Sequence, residues 1–272
     1  VIRLALLLIF LAATPVVAAD ITVEGRIEQG GIVVGKVLPG SRIAVGTRDV
    51  PVSPGGRFFV GLERDAPATL DIDIIAPDGG RETHTLKVAP RKWKIEKVDG
   101  VPQNLVTPDP ETAAQIAADT KLMRAARAQL ELTTFYESGL IRPALGRVSG
   151  VFGSQRVLNG TPRAFHAGLD IAGPVGTPVH AAADGIVALQ KEGMVMTGHT
   201  VVLNHGYGLQ TTYIHLSKIL VKDGERVKQG DVIGEIGMTG RASGPHLHFG
   251  VSWFDVRLDP EAVLDALPPP LN

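Results

Sequence analysis

Apolar and polar residues alternate one for one over short runs along most of this chain, and glycine, proline or Asp-Gly cuts each run before it grows long. A period of two places successive side chains on opposite faces of a strand. With 32 glycines and 19 prolines among 272 residues, the composition suits short strands, many tight turns and few long helices. The segments ITVEGRIEQ, GGIVVGKVLPGSRIAVG, GRFFVGLE and ATLDIDIIAPDGGRETHTLKV carry the pattern through residues 21–97. There Trp93 and Ile95 alternate with Lys92, Lys94 and Glu96 as a last edge strand. Ile72, Ile74 and Ile75 do not alternate, which predicts a bulge or burial on both faces. The pattern resumes at Arg142 in phrases such as GTPVHAAADGIVALQ and GERVKQGDVIGEIG. The expected class is all-β, with a small β-sandwich-like module over 20–98 and a second, larger unit over 141–262.

Between the two, Pro102, Pro108 and Pro110 mark a stiff linker, and a connector helix is expected inside 99–140. Asp109 followed by Pro110 is a good start: a capping side chain, then a residue whose missing N–H costs nothing in the first turn. Ile116, Met123, Ala126 and Leu130 give the apolar stripe, and Asp119, Lys121, Arg124, Arg127 and Glu131 the polar one. Residues 263–272 read as a proline-rich tail.

Arg3, the apolar run Leu4–Ala13 and the small residues before Asp20 have the three parts of an export signal, so residues 1–19 are expected to be removed and the protein exported. Pro15 interrupts the run before it reaches the ~20 residues that a membrane span needs, and no second such run follows. With 27 basic and 28 acidic residues there is no basic excess, which argues against a nucleic-acid partner. The absence of cysteine excludes thiolate metal ligands, a cysteine nucleophile and disulfides.

The chemistry gathers in three phrases. In GPHLHFGVSW, His246, His248, Gly250 and Ser252 share one strand face, and Leu247, Phe249, Val251 and Trp253 share the other, which can be buried. An imidazole pair backed by an apolar face is a start for a metal site, but zinc takes at least three protein ligands. FHAGLDIAG offers His166 from a loop and Asp170 from the following strand, with Gly168 allowing a tight turn between them. In LQTTYIHLSKI, Thr211, Tyr213 and His215 fall on one face. If that strand lies beside GPHLHFG, five polar groups converge: His166, Asp170, His215, His246 and His248. Three ligands would leave two imidazoles for proton transfer and oxyanion stabilisation, and spacing alone does not say which. His84 and His180 read as structural, His199 as exposed, and His205, in the turn NHGYG, as at most a residue on the groove rim. A swinging-arm carrier domain would display Lys222 or Lys228 on a hairpin, but export and the five-residue constellation disfavour it. FGSQR and RASGP do not match a serine nucleophile elbow.

HAGLD, YIHLS and GPHLHFG, in this order, resemble the zinc metallopeptidases of the lysostaphin and LytM type, family M23, over roughly residues 142–260. The region before them is similar to the accessory domain of some exported Gram-negative members. The resemblance implies a twisted antiparallel-sheet metallopeptidase domain, with one Zn2+ held by His166, Asp170 and His248. It makes His215 and His246 the non-ligand pair that assists a water's deprotonation and stabilises the tetrahedral intermediate. It implies a periplasmic endopeptidase acting on peptidoglycan peptides, with D,D-type cross-links as the expected target. The competing reading is a non-catalytic wall-binding protein or an activator of another hydrolase; five intact positions favour the enzyme. Such an enzyme must be restrained, by a regulatory partner or by residues 110–134 or 155–165 covering the groove.

Overall fold

The computed structural model describes residues 21–98 and 109–270; the leader-like segment and most of the proline linker lie outside them. The first part holds β1 (Thr22–Glu24), β2 (Ile32–Lys36), β3 (Arg42–Val45), β4 (Arg48–Val50), β5 (Arg57–Gly61), β6 (Thr69–Ile75), β7 (Arg81–Lys87) and β8 (Ile95–Val98). Strands β1-β2-β5 make one sheet and β4-β3-β6-β7 another. The helix α1 (Pro110–Arg127) follows, then a 3-10 turn, Phe135–Ser138. Beyond it come β9 (Arg147–Gly150), β10 (Gln155–Leu158), β11 (Thr161–Pro162), β12 (Leu169–Ala172), β13 (Pro178–His180) and β14 (Gly185–Met194). The chain then runs through β15 (Gly198–Asn204), β16 (Leu209–Ile219), β17 (Arg226–Val227), β18 (Val232–Ile236), β19 (His246–Trp253), β20 (Val256–Leu258) and α2 (Pro260–Ala266). The architecture is thus predominantly β with two helices rather than all-β. Val263 and Leu267, read from the sequence as the start of a tail, are buried.

The main sheet runs β17-β14-β15-β16-β19-β12-β9, and β16, β19 and β12 pair antiparallel at its centre. Its inner face carries Tyr213, Phe249, Leu247 and Val251, all fully buried. This core is continuous with that of the first part: Phe59 meets Tyr136 edge-on at 4.7 Å, and Gly61 lies under Trp253, Val256 and Leu258. Arg91 donates to Asp259 at 2.8 Å across the same seam.

Two expectations need correction. Strand β8 begins at Ile95 and is no free edge of the first part, because it pairs in parallel with β10. Trp93 precedes it and packs on Phe152 at 5.8 Å. Helix α1 does start at the Asp109 cap, whose carboxylate accepts from Thr112 N at 2.9 Å. It ends at Arg127, however, so Leu130 and Glu131 are not helical and Leu130 is exposed. Asp119 and Arg127, assigned to the wet face, are buried with Met123 and Ala126. Asp119 is held inside by accepting from Val195 N at 2.8 Å and from Gln115.

Candidate metal centre

Strand pairing sets the first contact. Asp170 on β12 is the antiparallel partner of His248 on β19, and Ala172 is the partner of His246. Residues directly opposite share a sheet face, so register alone brings carboxylate and imidazole together. His248 Nδ1 lies 2.8 Å from Asp170 Oδ1. His166, on the loop before β12, completes the group: its Nε2 is 2.9 Å from Asp170 Oδ1 and 3.0 Å from His248 Nδ1.

Backbone carbonyls fix how these rings present themselves. His166 Nδ1 is 2.9 Å from Val151 O, His215 Nδ1 is 2.7 Å from Thr239 O, and His246 Nδ1 is 2.8 Å from Gly244 O. A carbonyl only accepts, so each Nδ1 carries a hydrogen, and each ring turns its Nε2 toward the site.

His215 reaches the site by a route that alternation does not supply. Tyr213 pairs with Phe249 and Ile214 with His248, so Tyr213 belongs to the core face and Ile214 to the site face. Strict alternation would send His215 into the core with Tyr213, whose hydroxyl accepts from Ala182 N. Instead His215 adopts φ +65°, uncommon for a non-glycine residue, and its ring swings to 4.9 Å from that of His246. The strained turn is held at both ends: His215 N donates to Thr197 O at 2.8 Å while the ring is tied to Thr239.

Gly168 also serves differently from the expectation. It is not among the glycines with positive φ. A Cβ there would sit 2.5 Å from both His248 Nε2 and Phe249 O. The glycine is required for close approach of the loop to a ring, not for the turn. Gly150 does the same beside Asp170, whose carboxylate a Cβ would overlap.

Electrostatics follow the geometry. Burial lowers the pKa of His248 and would lower that of His166, but the hydrogen bond and charge of Asp170 leave His166 raised. Burial opposes ionisation of Asp170, yet hydrogen bonds from His166 and His248 hold its carboxyl below the usual range. Burial depresses His215 to about 4, so this ring is neutral near pH 7.

His166 Nε2, Asp170 Oδ1 and His248 Nδ1 form a group able to hold a metal ion. Two ring nitrogens and a carboxylate oxygen within 3.0 Å of one another need a positive centre between them, a proton or a cation. Tetrahedral zinc, with ligands at about 2.0–2.1 Å, sets them about 3.3 Å apart, a small expansion of the triangle observed. The donor set fits zinc.

The other histidines stay apart. His180 is tied to Gly230 O, and His199, half-buried rather than exposed, accepts from Gly193 N. His205 is not on a rim but wholly buried, between Asp184 O and Thr211 Oγ1. Sequence reasoning missed the three orienting carbonyls, which leave no side-chain pattern; the steric glycines were visible only as letters beside the ligands.

The sequence profile of peptidase family M23 matches residues 164–260. Peptidoglycan DD-endopeptidase ShyA of Vibrio cholerae is 46% identical over 104 residues, covering 38% of this chain and 24% of that protein. DD-carboxypeptidase/endopeptidase Mpg of Neisseria meningitidis is 42% identical over 108 residues, covering 39% and 24%. The chain thus spans about a quarter of the length of these curated relatives. A crystal structure of an M23-type peptidase from Pseudomonas aeruginosa superposes with TM-score 0.69 at 30% identity, covering 88% of this chain and 96% of that one.

Proposed function

From the premise that this chain belongs to peptidase family M23, we propose that it is a zinc-dependent endopeptidase that hydrolyses peptide cross-links of peptidoglycan, D,D-type bonds among them. The observation that carries this reading is the convergence of His166, Asp170 and His248 on one point, flanked by His215 and His246. Zinc, when bound, would supply Lewis acidity and lower the pKa of a water toward about 7.

The chain's own groups do the rest. His166, Asp170 and His248 would hold the ion, and the hydrogen bond of His166 Nδ1 to the Val151 carbonyl orients the ring with Nε2 toward it. Two further Nε2 atoms, on His215 and His246, face the same space with their Nδ1–H groups spent on carbonyls. His215, neutral at pH 7, accepts the proton of the attacking water. His246, its ring 4.9 Å from that of His215, is placed to stabilise the carbonyl oxygen as charge develops there. The half-buried cluster lies on one face of the main sheet, which suits an extended peptide.

The substrate class follows the relatives' names, peptidoglycan DD-endopeptidase and DD-carboxypeptidase/endopeptidase. The leader-like residues 1–19 lie outside the described residues, and export to a periplasm is part of this proposal. No helix among the described residues is long and apolar enough to cross a membrane.

The test is digestion of purified cross-linked muropeptides with mass analysis, with and without a chelator, beside His215→Ala. Chelator-sensitive release of monomers, lost in the variant, supports the reading. Tight binding without product at any zinc load contradicts it.

A further inference from the structure

The loop that delivers His166 is tied three times to the short segment 151–154. His166 Nδ1 donates to Val151 O at 2.9 Å, Gly153 N donates to His166 O at 2.9 Å, and His166 N donates to Ser154 O at 2.7 Å. Both backbone groups of His166 and one ring nitrogen are thus fixed by this segment, so its placement sets where Nε2 points. The segment is itself held from the first part of the chain. Arg64, in the turn after β5, donates from Nε to Gly153 O at 3.0 Å. Lys94 O accepts from Gln155 N at 2.9 Å, where β10 begins its parallel pairing with β8. Trp93 packs on Gly153 so closely that a Cβ there would overlap its ring.

Arg64 is fixed in several directions at once. It is 8% exposed, and its Nη1 donates to both carboxylate oxygens of Asp65, at 2.9 and 2.8 Å. Its guanidinium lies 5.2 Å from the ring of Trp93 and 5.3 Å from that of Phe165. Asp65 balances the charge and aims the fork, while the two rings restrict its plane, which leaves Nε–H directed at Gly153. Trp93 comes from the first part and Phe165 immediately precedes His166, so this one cation bridges the two parts beside a metal ligand.

We propose that Arg64 is a positioning residue for the metal centre: through Gly153 it holds the His166 loop where Nε2 meets Asp170 and His248. This rests on the zinc peptidase reading above. The first part is then a brace of the site rather than a detachable module. Loss of the Nε–H leaves Gly153 O without this donor and frees segment 151–154 to relax. The triangle of ligands loosens with it, and so does the grip on zinc. Orienting partners of this kind are worth about 10- to 100-fold in metal affinity.

The test measures zinc Kd by equilibrium competition with a chelator on the full chain, for wild type, Arg64→Met, Arg64→Lys and Ile72→Val. Methionine keeps an apolar stem beside the rings but has no donor; lysine restores a donor without the fork. Ile72, fully buried on β6, controls for lost stability alone. Arg64→Met binds zinc about tenfold or more weakly, Arg64→Lys recovers part of the loss, and Ile72→Val matches wild type. The visible absorption of the cobalt-substituted chain shifts in Arg64→Met and not in Ile72→Val. At saturating zinc, Arg64→Met lowers kcat on cross-linked muropeptides while KM holds. A zinc Kd within threefold of wild type in Arg64→Met, or an equal weakening in Ile72→Val, overturns the positioning role and leaves the peptidase reading standing. Because Kd is measured without turnover, a chain whose zinc Kd responds as expected but which cuts no muropeptide overturns the peptidase reading and leaves the role of Arg64 standing. A wild type that takes up no zinc overturns both. Trp93→Leu carries the same prediction should Arg64→Met fail to melt cooperatively.

Discussion

Replacing Gly168 by alanine tests whether the metal centre is held by steric fit. The new methyl would lie 2.5 Å from His248 Nε2 and 2.5 Å from the Phe249 carbonyl oxygen. Ordinary contact begins near 3.4 Å, so one partner must retreat by about 0.9 Å. The Phe249 carbonyl belongs to a central strand paired on both sides by β12 and β16 and moves little. The imidazole of His248 and the loop bearing His166 and Gly168 therefore yield. A ~1 Å misplacement of a reacting or ligating group costs about 100-fold in rate, and overpacking a tight contact costs about 1–3 kcal/mol. Gly168→Ala is expected to lower kcat/KM on cross-linked muropeptides about 100-fold, to weaken zinc retention, and to remain folded by circular dichroism. Zinc-loaded Gly168→Ala with kcat/KM within threefold of wild type would refute the steric argument, and with it the placement of the loop against His248.

Four further outcomes follow from the same geometry. His215→Ala should retain zinc while losing about 100- to 10,000-fold in kcat, read by metal analysis beside muropeptide turnover; loss of zinc in this variant would make His215 a ligand instead. Burial lowers His205 to about 4, against about 6.5 when unfolded, so the unfolded chain binds the extra proton between those values. That contribution, about 3 kcal/mol, is complete above pH 6.5 and is lost as pH falls toward 4; urea midpoints for wild type and His205→Gln should therefore converge as pH drops. Asp119→Ala removes the acceptor for Val195 N and should cost about 1–2 kcal/mol in urea unfolding; no change would mean that α1 is not anchored there. Chelation should abolish turnover and lower Tm, and added zinc should restore both, by mass action on the folded state.

Much of the site was legible because strand alternation is a local code. His246 and His248 sit on one face and Leu247, Phe249 and Val251 on the other, as the letters indicate. The pairing of Asp170 with His248 was not legible, since register between strands 78 residues apart is a tertiary result. Alternation misled at His215, where a positive φ, stabilised by Thr197 and Thr239, overrides the period. It was silent on the carbonyls of Val151, Thr239 and Gly244, which orient three rings without any side-chain signature. On α1, helical spacing placed Met123 and Ala126 correctly but assigned Asp119 and Arg127 by polarity, and tertiary hydrogen bonding and the polar sheet end prevailed. Alternation and turns gave no sign that the core of the first part runs on into the main sheet through Phe59, Tyr136 and Gly61.

The most direct measurement is a crystal structure of the zinc-loaded protein, with anomalous differences recorded on both sides of the zinc edge. The expected result is one zinc peak per chain, within about 2.0–2.2 Å of His166 Nε2, Asp170 Oδ1 and His248 Nδ1, with the Nε2 atoms of His215 and His246 unbound beside it. A peak coordinated elsewhere, or a fully folded chain that takes up no zinc at this point, would contradict the assignment.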